Sequence, residues 1–211
     1  LDADIYGPSL PKLLNLNEKP KSKDNKSIIP LEKFGAQCMS IGFLIDEQTP
    51  IMWRGPMVIS AIKTMTQKIL WKDLDVIIVD MPPGTGDTQL TFAQEIELNG
   101  IIIISTPQEL ALQDVKRGIA MFDKLNTKII GLVDNMSFFK GDDGKKYHIF
   151  GEGGVERTAG EFNKGFLGEI PINSEVGICN DLGIPIVEKS PNHEISKIYL
   201  GLAKKIISIY F

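Results

Sequence analysis

Soft metal ligands are scarce in this chain, which has two cysteines and two histidines among 211 residues. Cys38 and Cys179 lie far apart and lack framework spacing, which excludes a disulfide-stapled scaffold and points to a reducing compartment. Each sits in apolar sequence, Ala36 to Leu44 and Val176 to Cys179, and reads as a small core residue. His148 is a lone loop imidazole, and His193 stands where it would cap the last helix. Positive charge is also short. With 23 Lys and Arg against 27 Asp and Glu, a net charge of -4 leaves no footprint for nucleic acid. No apolar run approaches the roughly 18 residues of a membrane span, so stable membrane insertion is not expected and a cytoplasmic location is. Repeats and low-complexity tracts are absent. A hydrophobic fraction of 43% can bury a core, and residues 1–211 read as one domain.

What stands out is residues 76 to 87, Val-Ile-Ile-Val-Asp-Met-Pro-Pro-Gly-Thr-Gly-Asp. A continuous apolar run ending in turn residues suits a strand buried on both faces of a parallel sheet. Asp80 then emerges at its carboxyl end, where open α/β sheets bind ligands. A carboxylate there can hold Mg²⁺. Gly84 and Gly86 let the backbone approach a phosphate, Pro82 and Pro83 stiffen the turn, and Thr85 adds a hydroxyl. The opening, Leu1-Asp2-Ala3-Asp4-Ile5-Tyr6-Gly7-Pro8-Ser9, supplies a second acidic strand end. Two such ends suit a hydrolytic site.

With Trp53-Arg54-Gly55-Pro56-Met57, Val133-Asp134-Asn135-Met136-Ser137 and Ile149-Phe150-Gly151-Glu152-Gly153-Gly154, these motifs closely resemble the Mrp/ApbC/Nbp35 family. Its members are P-loop ATPases that carry iron–sulfur clusters, and the resemblance runs from Leu1 to about Ile207. It implies an α/β fold, a doubly wound and mostly parallel sheet with helices on both faces, of the deviant Walker A, MinD-like kind. Two departures stand out. No segment matches the family's Gly-Lys-Gly-Gly-Val-Gly-Lys loop, so the chain reads as lacking the N-terminal P-loop strand and helix. Such a piece is expected to expose two unpaired strand edges, to fold poorly alone, and to bind and turn over little ATP. The second departure is at Phe138 to His148, where relatives often carry the Cys-x-x-Cys that holds a bridging cluster. Asp142 and Asp143 replace thiolates poorly there, which leaves the iron–sulfur ligands unknown.

The resemblance also implies roles for individual residues. Asp4 corresponds to the switch I carboxylate that activates the attacking water. Asp2, two residues earlier on the same face of an extended chain, would hold a water on the metal. Asp80 corresponds to the Walker B carboxylate for Mg²⁺. Gly84 would aim its amide at the γ-phosphate, with residues 82–87 (Pro82, Pro83, Gly84, Thr85, Gly86, Asp87) relaxing as switch II after hydrolysis. Asn135 matches an adenine-reading asparagine and Pro171 a segment near the adenine, while Arg54 suits phosphate, the other subunit or a structural salt bridge equally. The implied cofactors are ATP, Mg²⁺ and an iron–sulfur cluster, and the implied partners are a second subunit and apo iron–sulfur acceptor proteins. Organellar targeting stays open. Rival readings are a membrane- or partner-associated positioning ATPase of the MinD/ParA type and a catalytically silent scaffold. For the former, Ile195, Ile198, Tyr199, Leu202, Ile206 and Tyr210 form a helical stripe, which core packing also explains.

Strands and helices are expected to alternate after residue 55. Residues 56–71 read as an amphipathic helix through Val58, Ile59, Ile62, Met65, Ile69 and Leu70, and 74–80 as the buried strand. Asp87 would cap a helix to about Glu97, and Ile101 to Ser105 form a second buried strand. A helix follows from Pro107 to about Leu125. Lys128 to Asp134 form a strand that carries Asn135 at its end, and all site candidates are expected on one rim. Phe166 to Ile170 make a last strand and Glu194 to Tyr210 a closing helix. Upstream, lysine-rich residues 15–27 read as a mobile loop, and Ser27 to Leu44 as a short hairpin around Gly35.

Overall fold

Phe34 and Gly35 have positive φ angles, 50° and 73°, the two left-handed positions of a tight hairpin turn. In the computed structural model, which describes residues 1–24, 27–45, 55–84 and 86–210, this turn joins two short strands. Trp53, Arg54 and Thr85 lie outside the described residues, as do the side chains of Gly55, Pro56 and Asp87.

The first compact unit comprises Leu1–Glu97 with Cys179–Pro185. It contains α1 (Leu10–Leu13), β1 (Leu31–Lys33), β2 (Ala36–Cys38), α2 (Gly55–Gln67) and α3 (Asp87–Glu95). β1 and β2 pair antiparallel, with Leu31 opposite Cys38. Val58, Ala61, Ile62 and Met65 of α2 pack with Ala3, Ile5 and Phe92, whereas Ile59 faces outward. α2 stops at Gln67, short of the expected end, because the next residues prefer an extended pairing. Ile28 N–H donates to Lys68 O at 2.8 Å, and Leu70 N–H to Ile28 O at 2.9 Å. The lysine-rich loop is stitched at its base, where Ile29 N–H donates to Lys21 O and Lys23 N–H to Ser27 O.

Residues 74–80 are not the buried strand that their composition suggests. Ladder pairing is confined to the end: Asp80 N–H donates to Leu1 O, and Ala3 N–H to Asp80 O, both at 2.8 Å. Val76 is 55% and Ile78 78% exposed. An apolar run sets the demand for cover, but only a neighbouring chain can meet it. Within this unit, pairing reaches one edge and the last few residues.

The second unit comprises Leu98–Ile178 and Ile186–Phe211. It runs β3 (Ile101–Ser105), α4 (Glu109–Lys124), β4 (Ile129–Lys140), β5 (Lys146–Tyr147), α5 (Gly154–Glu161), β6 (Phe166–Ile172), α6 (Ser174–Leu182), α7 (Ile186–Lys189) and α8 (Glu194–Tyr210), with α6 ending in the first unit. β4 lies between β3 and β6, parallel to both, and its far end pairs antiparallel with β5. Leu112, Val115 and Ile119 of α4 and Val155 and Ala159 of α5 cover Leu132 on one face. Ile198 and Leu202 of α8 cover Val133, Leu167 and Ile170. Leu132 and Val133 point to opposite faces of β4, so helices flank both sides of the parallel strands, as the alternation implies.

The structure corrects three further expectations. β3 has the expected bounds but is not buried throughout: among the described residues it pairs only with β4, and Ile104 is 62% exposed. β4 does not end at Asp134. Met136 takes a left-handed φ of 56° and the register shifts between Asn135 and Phe139, which lets the strand continue to Lys140 as a bulged segment. In the first unit, the position that caps α3 is Gly86, not Asp87.

Candidate nucleotide site

Two parallel chain ends build the acidic site. Residues 1–3 lie beside residue 80 on one edge and residues 39–40 on the other, so Asp2 and Asp80 are bridge partners and Asp4 lies just past their level. Asp2 is 3% exposed, and its carboxylate accepts four hydrogen bonds. These come from Asp4 N–H to Oδ1 at 3.2 Å and from Ser9 N–H (3.1 Å), Leu10 N–H (3.1 Å) and Ser40 Oγ (2.9 Å) to Oδ2. Donors of this number fix the carboxylate in place. Asp2 therefore secures the chain around Asp4. Asp4 is partly exposed. Its Oδ1 accepts from Tyr6 N–H at 3.1 Å and Gly7 N–H at 3.2 Å, an Asx turn that fixes the carboxylate's direction.

Asp80 is exposed at the mouth of the loop, and its pKa is pushed up, first by loss of solvation and then by the Asp2 and Asp4 carboxylates. The Asp2 and Asp4 charges beside Asp80 are a repulsion that a divalent cation on Asp80 would relieve. Gly84 has a φ of +91°, and a Cβ built on Gly84 or Gly86 would meet nothing within 4 Å. Both glycines therefore face free space, and Gly86, the residue at the cap of α3, has no side chain to cover the helix's first amides. Exposed backbone N–H groups at a helix start favour phosphate. Among the described residues no group of three or more His, Cys, Asp or Glu forms a metal cage. Mg²⁺ needs no such cage, since it binds through one or two carboxylates plus phosphate oxygens and water. Asp80 and the loop amides fit a magnesium-bound polyphosphate.

Thiolate chemistry fits less well. Cys38 and Cys179 are both buried. Burial pushes the Cys38 thiol up, and its Sγ lies 3.6 Å from the Ala36 carbonyl oxygen. Two inert core thiols do not make a cluster site.

In the second unit, Asn135 and Ile170 are register partners on β4 and β6, which sets Asn135 next to Pro171. Both are half-buried. Of the candidates expected on one rim, Asp2, Asp4, Asp80 and residues 82–87 belong to the first unit, and Asn135 and Pro171 to the second. Sequence reasoning missed Asp134, which is 1% exposed, has no hydrogen-bond partner for Oδ1 among the described residues, and titrates at about 6. Burial is the main cause. Glu169 and Glu156 push the same way, and His148 opposes them. A lone acid in Gly-Leu-Val-Asp-Asn was the available signal. His148 approaches the Ser137 carbonyl at 3.2 Å and Glu152 at 3.6 Å, and His193 Nδ1 accepts Ile195 N–H at the start of α8.

The Phe-Gly-Glu-Gly-Gly motif finds a packing reason. A Cβ on Gly154 would lie 2.6 Å from the Pro107 carbonyl oxygen and 2.8 Å from Leu112 Cδ1, and Gly151 and Gly153 have positive φ. The motif seats α5 tightly against the start of α4.

Comparison with known proteins bears on this geometry. An Arabidopsis thaliana protein described as an iron-sulfur protein required for NADH dehydrogenase, mitochondrial, is 46% identical over 208 residues, which cover 98% of this chain and 66% of that protein. The iron-sulfur cluster transfer protein NUBPL of Mus musculus is 43% identical over 98% of this chain and 65% of its own length. The chain thus spans just under two thirds of these relatives. A solved nucleotide-binding protein from Archaeoglobus fulgidus, in complex with ADP, superposes with a TM-score of 0.73 at 35% identity, covering 86% of this chain and 72% of that one. The fold is accordingly α/β, of the P-loop NTPase kind. A family model described as ParA, NUBPL iron-transfer P-loop NTPase, matches residues 1–207, and the chain belongs to that family.

Proposed function

We propose that the protein containing this chain binds Mg²⁺–ATP, hydrolyses it slowly, and couples that cycle to carrying iron–sulfur clusters to apo-proteins. The observation that supports it best is the placement of Asp4 and Asp80 on neighbouring parallel chain ends beside an open glycine loop. Asp80 holds the metal, and Asp4 orients the attacking water and takes its proton. The Gly84 and Gly86 amides meet the terminal phosphate, and Thr85 and Asp87 complete the same loop. Bound Mg²⁺ supplies charge neutralisation on the phosphate oxygens. Asn135 reads the adenine edge, since one side-chain amide can donate and accept together, and Pro171 flanks it.

The cluster is cargo rather than a resident group, and the carrier role rests on the names of the relatives. Cys38 and Cys179 do not supply its ligands, so no transfer step is assigned to residues of this chain. We infer a homodimer and a cytoplasmic or organellar aqueous compartment. Among the described residues no helix is long and apolar enough to cross a membrane. Residues 1–211, without a Walker A sequence, should by themselves turn over little ATP.

The test is made on the full-length protein. Steady ATP hydrolysis that disappears in Asp80→Ala, with visible absorbance after anaerobic iron and sulfide reconstitution and transfer to an apo acceptor, supports the reading. Turnover without any reconstituted band removes the carrier role. ATP-dependent pelleting with lipid vesicles in its place favours a positioning ATPase. Absence of turnover leaves a scaffold.

A further inference from the structure

Gln89 stands two residues past the motif that supplies the glycine loop. It lies in the first turn of α3, three residues past the capping Gly86, and is half-buried. Its side chain reaches back along the loop, and Nε2 donates to the carbonyl oxygen of Pro82 at 3.3 Å. Pro82 is buried and has no N–H, so that carbonyl is its one backbone group able to hydrogen bond. A single side chain therefore joins the first residue of the loop to the helix that ends it. Gly84 and Gly86, the residues free of any Cβ contact, lie between the two anchored points.

The orientation of the amide follows from this contact. Reversed, Oε1 would face another carbonyl oxygen, so Nε2 must be the atom turned toward Pro82. Oε1 is then buried, with no hydrogen-bond partner among the described residues. Buried acceptors without a donor are uncommon in native proteins and call for an explanation. Capping of α3 does not provide one, because Oε1 accepts no first-turn amide among the described residues.

We propose that Gln89 is a positioning residue for the nucleotide-sensing loop. Its Nε2 latches Pro82, and its Oε1 accepts the N–H of Gly84 or Gly86 when these glycines meet the terminal phosphate. One amide thereby stabilises the closed loop from both ends and sets where the Gly84 N–H stands. Glutamine suits this because it donates and accepts from the same group. Glutamate lacks the donor, and leucine lacks both. The inference rests on reading residues 82–87 as the loop that senses the γ-phosphate.

The experiment uses the full-length protein with Gln89→Glu, which keeps the shape, and Gln89→Leu. In both, kcat for ATP should fall about tenfold while ADP affinity changes less than about threefold, and the preference for a non-hydrolysable ATP analogue over ADP should shrink. A packing role alone would lower Tm and leave kcat and that preference intact, and this result overturns the proposal. Amide hydrogen exchange of the nucleotide-free protein provides a readout independent of turnover. Gly84 and Gly86 should exchange faster in both variants, and unchanged rates overturn the latch. If the wild type fails to hydrolyse ATP yet exchange at Gly84 and Gly86 accelerates in the variants, the latch stands and the catalytic reading fails.

Discussion

Ser40 donates its hydroxyl to Asp2 Oδ2 across 2.9 Å, although 38 residues separate the two in sequence and Ser40 is fully buried. The same Ser40 oxygen accepts Gly42 N–H at 3.1 Å, and Asp2 passes the restraint on through Asp4 N–H. A wall built from residues 40–42 thus fixes the carboxylate assigned to the attacking water. Ser40→Ala should destabilise the full-length protein by about 1–3 kcal/mol, the range for removing a buried hydrogen bond to a charged group. Asp2→Ala, which abandons four donors at once, should destabilise it by more. Chemical denaturation measures both, and equal stability of Ser40→Ala and wild type would refute this account of the anchor.

Asp80 carries the metal in our reading. Asp80→Asn should lower kcat for ATP at least about 100-fold, as expected when a preorganised charge is withdrawn from the reacting centre. Its pKa stands above the usual 3.8, so Mg²⁺ must compete with protons at a higher pH than for an isolated carboxylate. The Mg²⁺ concentration for half-maximal turnover should therefore rise as pH falls toward that raised value. A flat Mg²⁺ requirement across the acid range would contradict it.

Asp134 predicts a pH dependence of stability. Unfolded, its carboxyl titrates near 3.8, and folded, at about 6. Between those values the native state holds the extra proton, so stability falls as pH rises through the window and stays reduced above it. Asp134→Asn should remove that slope and stabilise the protein at pH 7 by about 3 kcal/mol, the equivalent of roughly two pKa units. Urea midpoints at pH 4, 6 and 7 decide the matter, and an unchanged slope in the variant would count against it.

Gly154 offers a packing test apart from chemistry. A methyl there collides with the Pro107 carbonyl oxygen, a backbone atom that cannot swing aside. Gly154→Ala should destabilise by about 1–3 kcal/mol, in the range for overpacking. Thermal unfolding reads it, and a Tm equal to wild type would show that the contact relaxes freely.

Elements that carry their own punctuation were legible in the sequence. Ile101–Ser105 follows Gly100, Glu194–Tyr210 has a continuous stripe behind a capping His193, and Phe34-Gly35 spells a hairpin turn. Features set by distant partners were not. The exposure of Ile78 depends on what lies beside it, and the early end of α2 depends on Ile28. Asp2 and Asp4 look alike in sequence, and only Ser9, Leu10 and Ser40 make the first an anchor and leave the second partly open. Asn135 was singled out for its amide, while its neighbour Asp134, on the opposite side of the same strand, carries the larger electrostatic anomaly.

The Tyr210 hydroxyl donates to Asn99 O at 2.9 Å, and Lys128 stands over the same ring at 5.1 Å. This clasp spans 111 positions, so the entry to the first strand of its unit is gripped only after the final helix has docked. Closing so long a loop costs chain entropy that the docked helix must offset. Removing the phenol hydroxyl in Tyr210→Phe would therefore loosen the start of β3 at Asn99 and Gly100 without touching the acidic site.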